Sequence, residues 1–135
     1  MVTDAKHIEV QKAAYAIGNV GGTQAQDFLR KMAMGHSEIE IAKAAVYGLS
    51  NMLEDNDISP LLQILNEAEN VEVRKAALYQ IGNSESDEAV DALATVARGS
   101  DNVELRKAAV YALGNIGSDA ARKVLVEIVT TEAGK

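Results

Sequence analysis

The sequence contains no cysteine, no tryptophan, one proline and one phenylalanine among its 135 residues. Without cysteine the chain cannot form a disulfide, a thiolate metal site or a cysteine nucleophile. Aromatic residues make up only 4% of the chain while hydrophobic residues make up 47%. The core must therefore be built from alanine, valine, isoleucine and leucine, which suits thin helices that pack closely together.

Positive charge is also scarce, because 13 lysines and arginines face 20 aspartates and glutamates, for a net charge of -7. A nucleic-acid binder needs a basic stripe to displace counterions, so no nucleic-acid partner is expected. No stretch approaches the ~20 apolar residues of a membrane span, and the start MVTDAKHIEV does not resemble a secretory signal. These features predict a cytoplasmic protein that does not bind membranes.

The chain contains four similar copies of one segment: IEVQKAAYAIGN, IEIAKAAVYGLSN, VEVRKAALYQIGN and VELRKAAVYALGN. Its tyrosines, Tyr15, Tyr47, Tyr79 and Tyr111, follow one another at a step of 32 residues (47 − 15, 79 − 47, 111 − 79). A constant period of this size is typical of solenoids, whose units bury their apolar faces by stacking on each other. The period predicts a single domain, 1–135, of four repeats at about 4–36, 37–68, 69–100 and 101–132.

Each repeat predicts two helices joined by a tight turn, because apolar residues recur at steps of three and four. In the fourth repeat the apolar face of the first helix comprises Leu105, Ala108, Ala109, Ala112, Leu113 and Ile116. In the second helices three apolar columns align across the repeats: Leu29, Leu61, Leu93 and Leu125; Met32, Ile64, Val96 and Ile128; and Ala33, Leu65, Ala97 and Val129.

Polar residues mark where these helices begin and end. Asp101 and Ser37 each precede a glutamate by three residues, which is the capping-box spacing and predicts them as N-caps of first helices. The predicted caps of the second helices are Thr23, Ser59, Ser86 and Ser118. Glycine and asparagine after the first helices predict left-handed turn residues, with Asn51 taking that position where Ser50 replaces the glycine.

The stretch from Val73 to Leu93, VRKAALYQIGNSESDEAVDAL, resembles the short HEAT-like repeat of the phycobilisome-lyase type. The similarity extends from about Ile8 to Val129. This resemblance implies an all-α, armadillo-like fold: a right-handed α-α superhelix of four HEAT-like helix pairs. It also implies that the second helices line a concave face used for binding other proteins. The arginine of that repeat is present as Arg74 and Arg106, but the other two repeats hold Ala42 and Gln11 there.

Helix phase, combined with that geometry, predicts a polar contact surface on the second helices. Its residues are Gln24, Asp27, Phe28, Lys31, Ser59, Gln63, Asn66, Glu88, Asp91, Thr95, Arg98, Lys123 and Glu127. Phe28 is its only aromatic anchor, so a modest and partly hydrated protein interface is expected. The alternative for Phe28 is packing against the N-terminal end of the array.

No catalytic, metal or cofactor site is predicted. His7 and His36 lack the neighbours of a metal motif, including the His-Glu dipeptides by which one HEAT-like family holds iron. The acidic turn at 54–57 lacks the ordered ligand positions of an EF-hand loop. We therefore predict a non-enzymatic protein-binding module or scaffold. The alternative is a chaperone-like subunit of a bilin-lyase-type or other prosthetic-group-handling complex.

Two further surfaces concern packing and assembly. The tyrosine column is expected to pack between repeats, with a recognition stripe as the alternative. In the last helix, Val124 and Val126 flank the apolar column, and Arg122, Glu127 and Glu132 are expected to form the polar cap that terminal repeats require. The two valines predict an imperfect cap and hence a monomer or a weak homodimer.

Overall fold

The fold is all-α, as the sequence predicts. The computed structural model describes residues 12, 13, 16, 22–35, 37–53 and 57–133. Among them are seven helices and no strand: α1 (Thr23–Gly35), α2 (Ile39–Met52), α3 (Ser59–Glu67), α4 (Val71–Asn83), α5 (Asp87–Gly99), α6 (Val103–Ile116) and α7 (Asp119–Ala133). Residues 12, 13 and 16 are also helical. Most of the segment predicted as the first helix of repeat 1, including Tyr15, lies outside the described residues.

The chain divides into two compact units, one ending at Ala77 and the other beginning at Leu78. In the N-terminal unit the second helix α1 packs on α2 and α3, and these two pack on each other. In the C-terminal unit α5 packs in the same way on α6 and α7, which also pack on each other. Within each unit, therefore, the second helix of one repeat packs on both helices of the next.

The predicted apolar face of the first helices forms the core. In α6, Leu105, Ala109 and Leu113 are completely buried, and Ala108 and Ala112 are nearly so. Ala45 and Ala77, which precede Ala109 by 64 and 32 residues, are also completely buried. Alanine recurs at this position because a longer side chain would hold the helices apart, and overpacking a core costs about 1–3 kcal/mol.

The apolar columns of the second helices are buried or half-buried in α1, α3 and α5. In α7 the same columns are more open: Leu125 and Ile128 are half-buried and Val129 is 66% exposed. Val129 is therefore far more exposed than the equivalent residues Ala33, Leu65 and Ala97. The reason is that α7 packs on α5 and α6, and these two helices leave its Val129 side uncovered.

Several predicted caps are displaced by one residue. Ser86 and Ser118 do cap their helices, since each hydroxyl oxygen accepts a hydrogen bond from a backbone N–H three residues on, at 3.1 Å. The N-cap of α6 is Asn102 and not Asp101, and its side chain accepts from the Leu105 N–H. An amide oxygen serves the exposed N–H groups as well as a carboxylate does, so spacing alone did not distinguish these neighbours.

The other cap predictions also need correction. The N-cap of α2 is Glu38 and not Ser37, and the Glu38 side chain does not accept a capping hydrogen bond from the first turn. Ile58 occupies the cap of α3, so Ser59 is already helical and its N–H is satisfied by Asp57 instead. Thr23 is likewise the first residue of α1. The helix therefore begins one residue later than predicted in α2, and one residue earlier than predicted in α1 and α3.

The prediction of left-handed glycines after the first helices is confirmed at Gly22 and Gly117 and is wrong in the second and third repeats. Asn51 is helical, and α2 continues to Met52. The turn between α4 and α5 places the left-handed backbone at Glu85, with φ of 56°. Gly117 supplies it at the end of α6, with φ of 65°. Gly82 and Gly114 lie within helices, so their role is not in the turns.

Asn102→Ala is expected to lower the free energy of unfolding by about 0.5–2 kcal/mol, because the Leu105 N–H loses its acceptor. Asp101→Ala is the matched control and should change the free energy by no more than about 0.5 kcal/mol. Urea denaturation followed by circular dichroism measures both. Equal losses of stability at the two positions would contradict the assignment of Asn102 as the N-cap.

Candidate functional site

In the N-terminal unit the predicted contact residues lie on α1 and α3, two second helices that pack side by side. Their side chains are outward-facing to different degrees: Gln24, Phe28, Lys31, Ser59 and Asn66 are exposed, and Asp27 and Gln63 are half-buried. Phe28 is 49% exposed, whereas its neighbour Leu29 is completely buried. The helix phase read from the sequence therefore places this set on the solvent side.

Asp27 forms ion pairs with two cations on that surface. Arg30 donates a hydrogen bond to Asp27 Oδ1, and Lys31 Nζ lies 3.2 Å from Asp27 Oδ2. These two cations, Arg30 first, hold the pKa of the Asp27 carboxyl below its ordinary value of 3.8. Asp27 therefore stays ionised, and its contribution to stability is present above the ordinary carboxyl pKa and is lost as the pH falls through the lowered one. Arg30 was not among the predicted residues, although its three-residue spacing from Asp27 could have indicated the pair.

In the C-terminal unit the contact residues lie on the adjacent second helices α5 and α7. All are exposed: Glu88, Asp91, Thr95, Arg98, Lys123 and Glu127. Arg98 of α5 donates a hydrogen bond to Glu127 of α7, which joins residues 29 positions apart. Both side chains are 50% exposed, so the pair contributes at most about 1 kcal/mol. Its importance is that it shows which sides of the two helices face each other.

Metal-ligating clusters and membrane-spanning helices are both absent from the part of the chain that the structure describes. No group of three histidine, aspartate or glutamate side chains there could hold a metal ion, and no helix there is long and apolar enough to cross a membrane. His7, His36 and residues 54–56 lie outside the described residues. Asp57, the last residue of the acidic turn, accepts a hydrogen bond from the Ser59 N–H at 3.1 Å.

The tyrosine column forms a contact between repeats at its C-terminal end. The rings of Tyr79 and Tyr111 meet edge to face, with centroids 6.4 Å apart and an interplanar angle of 88°. Such a pair stabilises a fold by about 0.5–1.5 kcal/mol beyond its buried area. Tyr79 nevertheless keeps 38% of its surface exposed and Tyr111 keeps 64%, so both rings also face solvent.

An open groove in the C-terminal unit was missed by the sequence reasoning. It measures about 670 Å³, and its lining includes Arg98, Arg106, Lys107, Val110, Tyr111 and Ile128. The prediction had placed only Arg98 at a contact surface. The signal available in the sequence was the adjacent basic pair Arg106 and Lys107 in the fourth copy of the repeat.

Comparison with known families agrees with this geometry. The profile of HEAT repeats matches residues 58–135, more than half of the chain. The chain belongs to the HEAT-repeat family. No curated protein matches the sequence significantly. The HEAT-like repeat named from Val73 to Leu93 is thus confirmed, and HEAT repeats are generally scaffolds for protein interaction and typically non-catalytic.

Proposed function

We propose that this HEAT-repeat protein is a non-catalytic binding module that contacts a partner protein through the outward sides of its second helices. The observation that carries the proposal is that this polar set is solvent-exposed or half-buried on paired helices in both compact units. The proposed architecture is that implied by the resemblance, a right-handed superhelix of four helix pairs. The proposed location is the cytoplasm.

The chemistry of the surface supports a polar, partly hydrated interface. Each unit holds an ion pair within the contact set, Asp27 with Lys31 in the N-terminal unit and Arg98 with Glu127 in the C-terminal unit. Such charges provide specificity and association rate more than affinity. Phe28 is the one aromatic side chain in the predicted contact set and is 49% exposed, so it is the proposed anchor for the partner.

The experiment compares proteins retained by the immobilised chain with those retained by two charge-reversal variants. The contact variant carries Asp91→Lys and Lys123→Glu, both on exposed positions of second helices. The matched control carries Glu72→Lys and Lys75→Glu on the first helix α4, which makes the same charge changes and preserves an i, i+3 ion pair.

Quantitative mass spectrometry measures retention, and light scattering and circular dichroism check that all three proteins remain folded. Loss of about tenfold in the contact variant, with the control unchanged, is the expected result. Retention that is equal in all three proteins rules out this surface. The alternative of a prosthetic-group-handling subunit rests on the resemblance at Val73 to Leu93, and absorption beyond that of tyrosine in the purified protein would favour it.

A further inference from the structure

Two second helices end in carbonyl groups that receive a hydrogen bond from an arginine of the next first helix. Arg74 of α4 donates from Nε to the Leu65 carbonyl near the end of α3, at 2.7 Å. Arg106 of α6 donates to the Ser100 carbonyl directly after α5, at 3.2 Å. The last carbonyls of a helix have no partner within the helix, and its dipole favours a cation at that end. The arginine therefore meets a need that each second helix has.

The end of α1 lacks that arginine. The residues one period of 32 before Arg74 and Leu65 are Ala42 and Ala33 (74 − 32 and 65 − 32). The helix bounds repeat with the same step, because residues 36–38 separate α1 from α2 and residues 68–70 separate α3 from α4. Ala42 is 1% exposed and its side chain ends at Cβ, and α1 itself has no basic residue in its last turn. Neither source supplies a guanidinium to the carbonyls at the end of α1.

An open pocket of about 320 Å³ lies at this end of α1, within the N-terminal unit. A volume of this size is at the lower end of the range for pockets that hold a ligand, and it leaves room for a long side chain. Its lining comes from the end of α1, the start of α2 and the segment before α4, and includes Ala33, Met34, Gly35, Ile39, Glu69 and Asn70.

The chemistry of the lining favours a cation on an apolar stem. Among the described lining residues, Glu69 is the one charged side chain and there is no cation. Met34, Ile39 and Val73 supply apolar surface, which suits the methylene stem that arginine lays along apolar groups. A guanidinium carries five N–H donors in a planar fork, so it can serve a carbonyl and a carboxylate together.

We propose that this pocket receives an arginine side chain of a partner protein. The partner's guanidinium does at the end of α1 what Arg74 does within the protein at the end of α3, and it also pairs with Glu69. The net charge of -7 attracts a basic partner at long range. The predicted contact residues of the second helices are not among the described lining residues, so this proposal stands or falls independently of the function proposed above.

The test is a titration of the full chain, labelled with nitrogen-15, with three blocked amino acids. N-acetyl-arginine N-methylamide is the probe. The lysine derivative keeps the charge without the fork, and the citrulline derivative keeps the shape with a neutral urea in place of the guanidinium. The arginine derivative is expected to shift the amide resonances of Gly35, Ser37 and Glu69 and to bind at least about fivefold more tightly than either control.

Three variants locate the binding. Glu69→Gln should weaken the arginine derivative about fivefold, whereas the matched control Glu67→Gln, an exposed position outside the described lining, should leave it unchanged. Ala42→Arg supplies the guanidinium from within the chain and should abolish the binding. Circular dichroism checks that each variant is folded, and if Ala42→Arg does not fold, the comparison of Glu69→Gln with Glu67→Gln decides by itself.

Four results would overturn the proposal. The first is equal binding of the arginine derivative and either control, and the second is an equal effect of Glu69→Gln and Glu67→Gln, which would indicate general attraction to an acidic surface. The third is full binding by a folded Ala42→Arg variant. The fourth is free L-arginine binding at least about tenfold more tightly than the blocked derivative, because the occupant would then be a small molecule and not a residue of a protein.

Discussion

Gly82→Leu is expected to lower the free energy of unfolding by about 1–3 kcal/mol, whereas Gly114→Leu should raise it by up to about 1 kcal/mol. The two glycines occupy the same place in consecutive repeats and both lie within helices. The same substitution is therefore expected to change the free energy of unfolding in opposite directions, because the surroundings of the two glycines differ.

The destabilisation at Gly82 comes from crowding. The first added carbon would already lie 3.3 Å from Ala112 Cβ and 3.9 Å from Leu93 Cδ1, and a leucine must place three more carbons beyond it. Either α4 and α6 move apart or the side chain leaves its preferred rotamer. At Gly114 the added carbon would meet none of the described residues within 4 Å, so the better helix propensity of leucine is expected to dominate.

Urea denaturation of the two variants and the parent chain measures the difference, and the slope of each transition shows whether the unfolding process is comparable. Gly82→Ala serves as a graded control and should fall between the parent and Gly82→Leu. A Gly114→Leu variant as unstable as Gly82→Leu would mean that Gly114 is covered in solution by another part of the protein or by a second copy.

Leu29→Ala is expected to cost about 2–5 kcal/mol of stability, while Phe28→Ala, one residue earlier, should cost less than about 1 kcal/mol. Leu29 is completely buried and Phe28 is 49% exposed. Truncating Leu29 leaves a cavity that its neighbours fill only in part, whereas truncating Phe28 removes surface that is already half in water.

The pair separates the two hypotheses for Phe28. A contact residue loses partner binding with little change in stability, whereas a core residue loses stability first. Thermal unfolding measured by circular dichroism gives the stability of both variants. A drop in melting temperature for Phe28→Ala that matches the drop for Leu29→Ala would assign Phe28 to the core and remove the proposed anchor.

The sequence predicted the helical repeat because its signal is written several times. A period of 32 residues and an alanine at the same place in each repeat leave few other arrangements, and Ala45, Ala77 and Ala109 are all completely buried. HEAT repeats then follow from the pattern around Arg74 and Arg106. Because the pattern recurs in four copies, an assignment that is ambiguous in one helix can be made from the equivalent positions of the others.

Helix ends were less predictable because several neighbouring residues can do the same work. Asp101 and Asn102 each carry a side-chain oxygen that could accept from the first turn. In the structure Asn102 occupies the N-cap position. Glycine was misread at Gly82 because it permits both a left-handed turn and a close helix crossing. The crossing involves Ala112, thirty positions away in the chain, and a local pattern carries no information about such a contact.

The candidate site was predicted as a set of outward positions but not as a set of contacts. Helix phase is enough to place Asp91 or Lys123 in solvent. It does not reveal that Arg98 reaches Glu127 on another helix, since that depends on how α5 and α7 are offset. Nor does it reveal the cationic groove, which three helices form together.

The open valines of α7 have a consequence for handling the protein in acid. Val126 and Val129 are each about two-thirds exposed, and the excess of 20 acidic over 13 basic residues keeps molecules apart at neutral pH. As carboxylates take up protons, that repulsion fades while the apolar patch persists. Colloidal stability should then fail at this helix first, and replacing both valines with threonine should delay the onset of turbidity during an acid titration.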